Sequence, residues 1–161
     1  MTVFVKELSE GKYIARKVSE YGLVAKRDCP ACACSPDGVF PLLKKDENDG
    51  STKFLSLCAL EIKTRSALGT VNDLYRQTLN SGKWTECDAG TEEFKLAVPD
   101  NAYRTQICQH AAALGLEYVM LAYCLPGGMP KRLVLVHVSA AQQDTLVKPH
   151  RKDTIDKVSF G

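Results

Sequence analysis

No apolar run in this chain approaches the roughly 20 residues that a membrane-spanning helix needs. Met1–Gly11 carries two glutamates and no hydrophobic segment of the signal-peptide kind. The expectation is a soluble, intracellular protein, cytoplasmic or nuclear, with no membrane partner. An excess of one charge is also missing: the net charge is +2 and the pI about 8.1, too mild to argue by itself for a nucleic-acid partner. Neither an internal repeat nor a domain linker is visible. The 161 residues therefore read as one domain over 1–147, large enough to bury a sizeable core, followed by a polar, mobile tail over 148–161.

Seven cysteines are present, an odd count, and a domain of this size does not need disulfides to fold. Three of them form C-x-x-C-x-C in Cys29-Pro30-Ala31-Cys32-Ala33-Cys34. A structural zinc needs four ligands, and no second C-x-x-C or His-x-x-x-His completes the set. A zinc-stabilised interaction domain and a redox pair at Cys29 and Cys32 both rest on this segment alone. A packed strand of free thiols, with cysteine acting as a small hydrophobe, is the preferred reading.

Residues 12–26 interleave β-branched and aromatic side chains with charge, which predicts a strand or a hairpin turning near Glu20–Gly22. Residues 41–54 are polar, contain Asp49-Gly50, and read as a surface hairpin or loop. Asp46–Gly50 is loosely like a calcium loop, but its glycine comes one place early and no closing glutamate follows, so a solvated turn is the better reading. Leu55–Lys63 is almost continuously apolar until Glu-Ile-Lys and reads as a central strand buried on both faces. Leu68, Val71, Tyr75 and Leu79 recur at helical spacing, Phe94–Val98 reads as a short strand, and a helix is expected over 101–114 between Pro99-Asp100 and Gly115. Tyr118–Leu125 and Arg132–Val138 are strands joined across Pro126-Gly127-Gly128, and a weak helical pattern starts at Ala140.

Polar residues at the tip of a buried strand are unusual, and they carry the chemistry here. Side chains two apart on a strand share a face, so Glu61 and Lys63 project together while Leu60 and Ile62 point the other way, toward the core. Asp37, in Ser35-Pro36-Asp37-Gly38, joins them if its strand pairs alongside. Two carboxylates with a backbone carbonyl between them suit octahedral Mg²⁺, with Mn²⁺ as an alternative, and an adjacent lysine can act on the attacking water or the leaving oxygen. The competing reading is a strand-end Glu–Lys ion pair with no chemistry. His110 and His137, both in apolar periodic segments, read as packed or DNA-facing rather than catalytic.

The order Ser-Pro-Asp-Gly, an insertion, then an apolar strand ending in Glu-Ile-Lys resembles the PD-(D/E)XK nuclease superfamily, and more closely its lambda-exonuclease and YqaJ viral recombinase branch. Tyr103, Gln106 and Gly115 match that branch's Tyr-x-x-Gln helix and its following glycine. The resemblance covers roughly residues 18–138. It implies an α/β fold with a restriction-endonuclease-like core, a mixed central β-sheet flanked by α-helices. It implies a Mg²⁺-dependent deoxyribonuclease of DNA recombination or repair, an exonuclease by the nearer branch. Asp37, Glu61 and the Ile62 carbonyl would bind the metal, Lys63 would lie near the attacking water, and Gln106 would touch the site or the DNA backbone. DNA is the implied partner, and the lambda-type relatives imply a homo-oligomeric ring. Departures accompany the match. Relatives supply a further carboxylate from a helix before the first strand, which is not placeable in the short segment before Lys12; Glu7, Glu10 and Glu20 are the candidates to replace it. A second glutamine is replaced by Cys108, and the 41–54 loop is long. A nuclease-fold DNA-binding or assembly module without turnover is the alternative function.

Overall fold

The computed structural model describes residues 2–27, 29–64, 84–124 and 130–147. Its elements, in chain order, are α1 (Thr2–Leu8), β1 (Tyr13–Ala15), β2 (Val24–Lys26), β3 (Cys29–Cys34), β4 (Gly38–Lys45), β5 (Thr52–Thr64), β6 (Trp84–Asp88), α2 (Glu92–Ala97), α3 (Asn101–Leu114), β7 (Tyr118–Cys124), β8 (Pro130–His137) and α4 (residues 140–147). The helix expected over 68–82 and the tail from 148 fall outside the described residues. None of the described helices is long and apolar enough to cross a membrane.

Six strands form one mixed sheet in the order β1-β4-β5-β7-β8-β6. The β4–β5 hairpin and the β7–β8 pair are antiparallel, whereas β5 runs parallel to β7 and β6 parallel to β8. The sheet curls until its two edges meet: the Tyr13 and Trp84 rings stand 5.4 Å apart and the Lys12 ammonium reaches the Glu86 carboxylate at 3.0 Å. The α/β class and the mixed sheet flanked by helices agree with the sequence reading.

Strand alternation splits the core in two. Phe40, Leu42, Cys58, Leu60, Met120, Leu133 and Leu135 face the inside of the curl, where α1 lays Val5 against them. Ala59, Val119, Leu121, Tyr123, Val134 and Val136 face the other way, under α2 and α3. Each fully buried aliphatic side chain of this kind contributes roughly 1.5–3 kcal/mol, so both faces are held firmly at the centre of β5 and β7.

The helix α3 begins where expected. Asp100 caps it, accepting a hydrogen bond from the Tyr103 N–H at 3.2 Å, and Gly115 ends it in the left-handed region at φ 65°. Tyr103, Ile107, His110 and Ala111 fall on one buried stripe. That stripe lies over β5 and β7, and the small β2–β3 sheet packs against the same helix.

Three expectations are corrected, and one strand was not anticipated. Residues 12–26 do not form a hairpin: β1 pairs with β4 and β2 with β3, because β4 offers β1 a longer apolar partner than β2 can. Phe94–Val98 belongs to a helix, since Thr91 accepts from the Phe94 N–H and Glu92 and Glu93 complement the positive end of the turn. Trp84–Asp88 is a strand that its polar composition hid, with Trp84 and Glu86 on one face and Thr85 and Cys87 on the other. Finally, β5 is buried on both faces only over Cys58–Glu61; Ile62 is 40 % exposed and does not reach the core. The 41–54 segment is a hairpin, but not wholly a surface one: Leu42 and Leu43 are buried in the main sheet, and the Asp46–Ser51 turn is held by Asp46 and Asp49 side chains that accept from the Asn48 and Ser51 N–H groups.

Gly38 is required by close approach. A Cβ there would clash with Val18 Cγ1 and stand 3.3 Å from the Ser19 carbonyl oxygen, and a β-branched valine has few other χ1 positions to take. Gly38→Ala is expected to destabilise the fold by roughly 1–3 kcal/mol through overpacking. The urea midpoint should fall; an unchanged midpoint would mean that the 18–19 segment is freely displaceable.

Candidate functional site

The β4–β5 ladder ends at the pair Gly38 and Leu60. One step beyond, the Asp37 N–H donates to the Leu60 carbonyl at 2.9 Å, and the Asp37 side chain takes over the ladder by accepting from the Ile62 N–H at 2.6 Å. Pro36 has no N–H to continue the pairing, so the strand stops and its last polar side chain substitutes for backbone. A residue's N–H and C=O point to the same edge of a strand. The Ile62 carbonyl therefore faces the edge that the Asp37 carboxylate occupies, and Asp37 itself is exposed.

Glu61 and Lys63 share the α3 side of the sheet, with Lys63 Nζ 3.0 Å from Glu61 Oε1. The pair is unequally buried: the Glu61 side chain is 6 % exposed and that of Lys63 19 %. The Lys63 ammonium also sits over the Tyr103 ring, 4.7 Å from its centroid, a favourable cation–π placement. So the strand tip presents a cation supported on both sides.

The second Glu61 oxygen is taken by a residue whose part in the site the sequence did not reveal. His110 Nε2 lies 2.6 Å from Glu61 Oε2, and the His110 residue is 2 % exposed. Burial alone would favour neutral imidazole; the Cys34 thiol beside the ring and the Glu61 carboxylate outweigh it and push the His110 pKa up to about 9. Burial likewise opposes the Glu61 carboxylate, but the hydrogen bonds and charges of His110 and Lys63 prevail and hold its pKa below the usual value. The other ring nitrogen, Nδ1, makes no hydrogen bond of ordinary geometry. Glu61 thus lies between the Lys63 ammonium and the His110 ring, and Asp37 is exposed at the strand tip.

Gln106 lies on the same face of α3, three residues after Tyr103 and four before His110. It is half-buried and makes no hydrogen bond to Asp37, Glu61 or Lys63. Of the three glutamates weighed for a further carboxylate, Glu7 sits in α1, which does precede the first strand, and with Glu10 it lines a cavity of about 620 Å³ beside Lys12, Trp84 and Glu86. Glu20 follows the Ser19–Val39 bridge by one residue, on the Asp37 side. Among the described residues no three His, Cys, Asp or Glu side chains are grouped to hold a metal ion. The candidate donor set is two carboxylates and one backbone carbonyl.

The segment before Asp37 is a strand, β3, and Cys34 within it is a buried free thiol; Ala33 is exposed. The side chains of Cys29 and Cys32, on which the zinc and redox readings rest, lie outside what the structure describes. His137 stands at the opposite end of β8, stacked near Tyr118 at 5.0 Å and bonded to Asp88 at 3.2 Å.

Compared with known proteins, the sequence matches no protein-family model and no curated relative.

Proposed function

We propose that this chain is a Mg²⁺-dependent deoxyribonuclease with a restriction-endonuclease-like core, related in kind to the lambda-exonuclease and YqaJ branch and acting in DNA recombination or repair. The observation that carries the reading is the Asp37 carboxylate hydrogen-bonded to the Ile62 N–H, directly between Glu61 and Lys63. Residues far apart in sequence meet at the tips of two paired strands, in the order the motif requires.

The donors are oxygens of the kind a hard divalent cation takes. Asp37 Oδ1 is not used by the Ile62 bond, the Ile62 carbonyl faces the same edge, and each carboxylate oxygen has two acceptor sites, so Glu61 can accept from Lys63 and His110 and still offer a lone pair. A cation held by Asp37, Glu61 and the Ile62 carbonyl supplies Lewis acidity toward a phosphodiester and its attacking water. Lys63 places a positive charge where negative charge develops, supported by Tyr103. His110 holds the Glu61 carboxylate from within the core through Oε2.

The alternative, a DNA-binding or assembly module without turnover, also has an observation in its favour. Both Glu61 oxygens are engaged by cationic side chains, which is how a purely structural buried carboxylate is satisfied. Degradation of linear duplex DNA with and without Mg²⁺, beside a covalently closed circle, separates the readings. Cleavage of the linear form only, and only with metal, is the expected result; intact DNA in every lane would leave the module as the better account.

A further inference from the structure

A second cation lies on the same face of the sheet and has no acidic partner among the described residues. The register carries Lys63 on β5 to Tyr123 on β7 and Tyr123 to Arg132 on β8, so Lys63 and Arg132 flank Tyr123 two strands apart, roughly 10 Å at Cα. Alternation puts all three on the α3 side, with Tyr123 and Val134 in the core beneath α3. Arg132 is half-buried and donates from Nη2 to Thr85 Oγ1 at 3.2 Å. Its Nε is buried without a hydrogen-bond partner, and none of the ion pairs among the described residues involves it.

Such a group is expensive to keep. Burying a guanidinium without an anion costs several kcal/mol in general, and burial pulls the Arg132 pKa below its usual value. A fold under no other demand would place methionine or leucine here. Arginine's planar fork is instead suited to phosphate oxygens, which take parallel N–H donors.

We infer that Arg132, together with Lys63, forms a contact for the phosphodiester oxygens of a nucleic-acid strand crossing the α3 side of the sheet tips. The inference rests on the nuclease reading for the identity of the anion, though not on turnover. Lys63 meets the phosphate at the candidate site and Arg132 holds a neighbouring one, so that the strand runs across β5, β7 and β8.

The test is metal-free binding of a short DNA duplex with a single-stranded overhang, titrated against salt in EDTA, for wild type, Arg132→Met and Arg132→Lys, with thermal midpoints and a parallel titration of inorganic phosphate. Arg132→Met is expected to weaken binding about tenfold or more and to flatten the slope of log affinity against log salt by about 0.9. Its thermal midpoint should stay level or rise, because an uncompensated cation leaves the interior. Arg132→Lys should recover part of the affinity. Equal binding by wild type and Arg132→Met overturns the inference, as does a lowered midpoint in Arg132→Met with no recovery by lysine, which would make the arginine structural. Stabilisation by inorganic phosphate that depends on Arg132, with DNA binding unaffected, also overturns it in favour of a free-phosphate site. Cleavage assayed separately with Mg²⁺ tells the two proposals apart. Arg132-dependent binding without cleavage keeps this inference and removes the nuclease; cleavage with Arg132-independent binding does the reverse.

Discussion

Replacing Asp37 by asparagine is expected to abolish DNA cleavage and to weaken Mg²⁺ or Mn²⁺ binding severely, while DNA affinity measured without metal stays level or rises slightly. The amide oxygen of asparagine can still accept the hydrogen bond that Asp37 Oδ2 takes from the Ile62 N–H at 2.6 Å, so the strand corner survives. What disappears is the negative charge that a hard cation requires. Removing an anion from a surface that meets phosphates cannot weaken the electrostatic part of binding.

Lys63→Ala should behave differently in the same assays. Glu61 and Asp37 remain, so metal binding persists, yet cleavage should slow by about a hundredfold or more, the scale of losing one electrostatic stabiliser of developing charge. Calorimetry of metal binding beside a cleavage assay reads both variants. If both cleave as fast as wild type, the chemistry is elsewhere on the molecule. A wild type that neither binds metal nor cleaves would identify the Glu61–Lys63–His110 group as structural.

The parts of the site legible in the sequence were those written in local geometry. Glu61 and Lys63 had to share a face because strand side chains alternate, whereas Asp37 joined them only on the condition that its strand paired alongside, which β4 and β5 meet. Helix α3 was readable at both ends from Asp100 and Gly115. His110 was expected to be packed or DNA-facing, and it is packed, but its partner could not be named: a lone histidine on an apolar stripe carries no sign of what it meets. The available signal was its spacing, seven residues after Tyr103, on the face that meets Glu61. Arg132 was equally silent, since its interest lies in what surrounds it. The misread helix at Phe94–Val98 and the unread strand at Trp84–Asp88 share a cause. Segments of five or six residues are too short for periodicity to decide, so the Thr91 cap settled the first and pairing with β8 the second. Ile62 departs from the expectation for another reason: alternation sets the face of a side chain but not how far along β5 the covering layer extends, and Ile62 is 40 % exposed.

The buried Glu61–His110 contact is expected to make the protein's stability depend on pH in two limbs. His110 has its pKa raised from 6.5 to about 9 in the folded state. Its contribution is therefore complete below about 6.5 and is lost as pH climbs through about 9. Glu61 has its pKa lowered, so its contribution is present above the ordinary carboxylate value and is lost as pH falls through the lower folded one. Both are in force between roughly pH 4.5 and 6.5, where urea midpoints should be highest. The alkaline limb should cost on the order of 3 kcal/mol by pH 9.5, as the imidazolium loses its proton beside a carboxylate that is 6 % exposed. Substituting one partner alone is worse than titrating it: His110→Ala leaves Glu61 in the core with only Lys63, a loss of about 3–5 kcal/mol for a broken buried pair. Glu61→Gln is the useful contrast. Its amide oxygen can still accept a hydrogen bond from His110, but it no longer raises the histidine's pKa electrostatically, so the alkaline limb should flatten and shift toward neutral pH. Denaturation of the three proteins across pH 5–10 reads the outcome. A wild-type midpoint that is level from pH 6 to 9.5 would show that His110 is neutral throughout, and that its 2.6 Å contact with Glu61 is a hydrogen bond without ionic character.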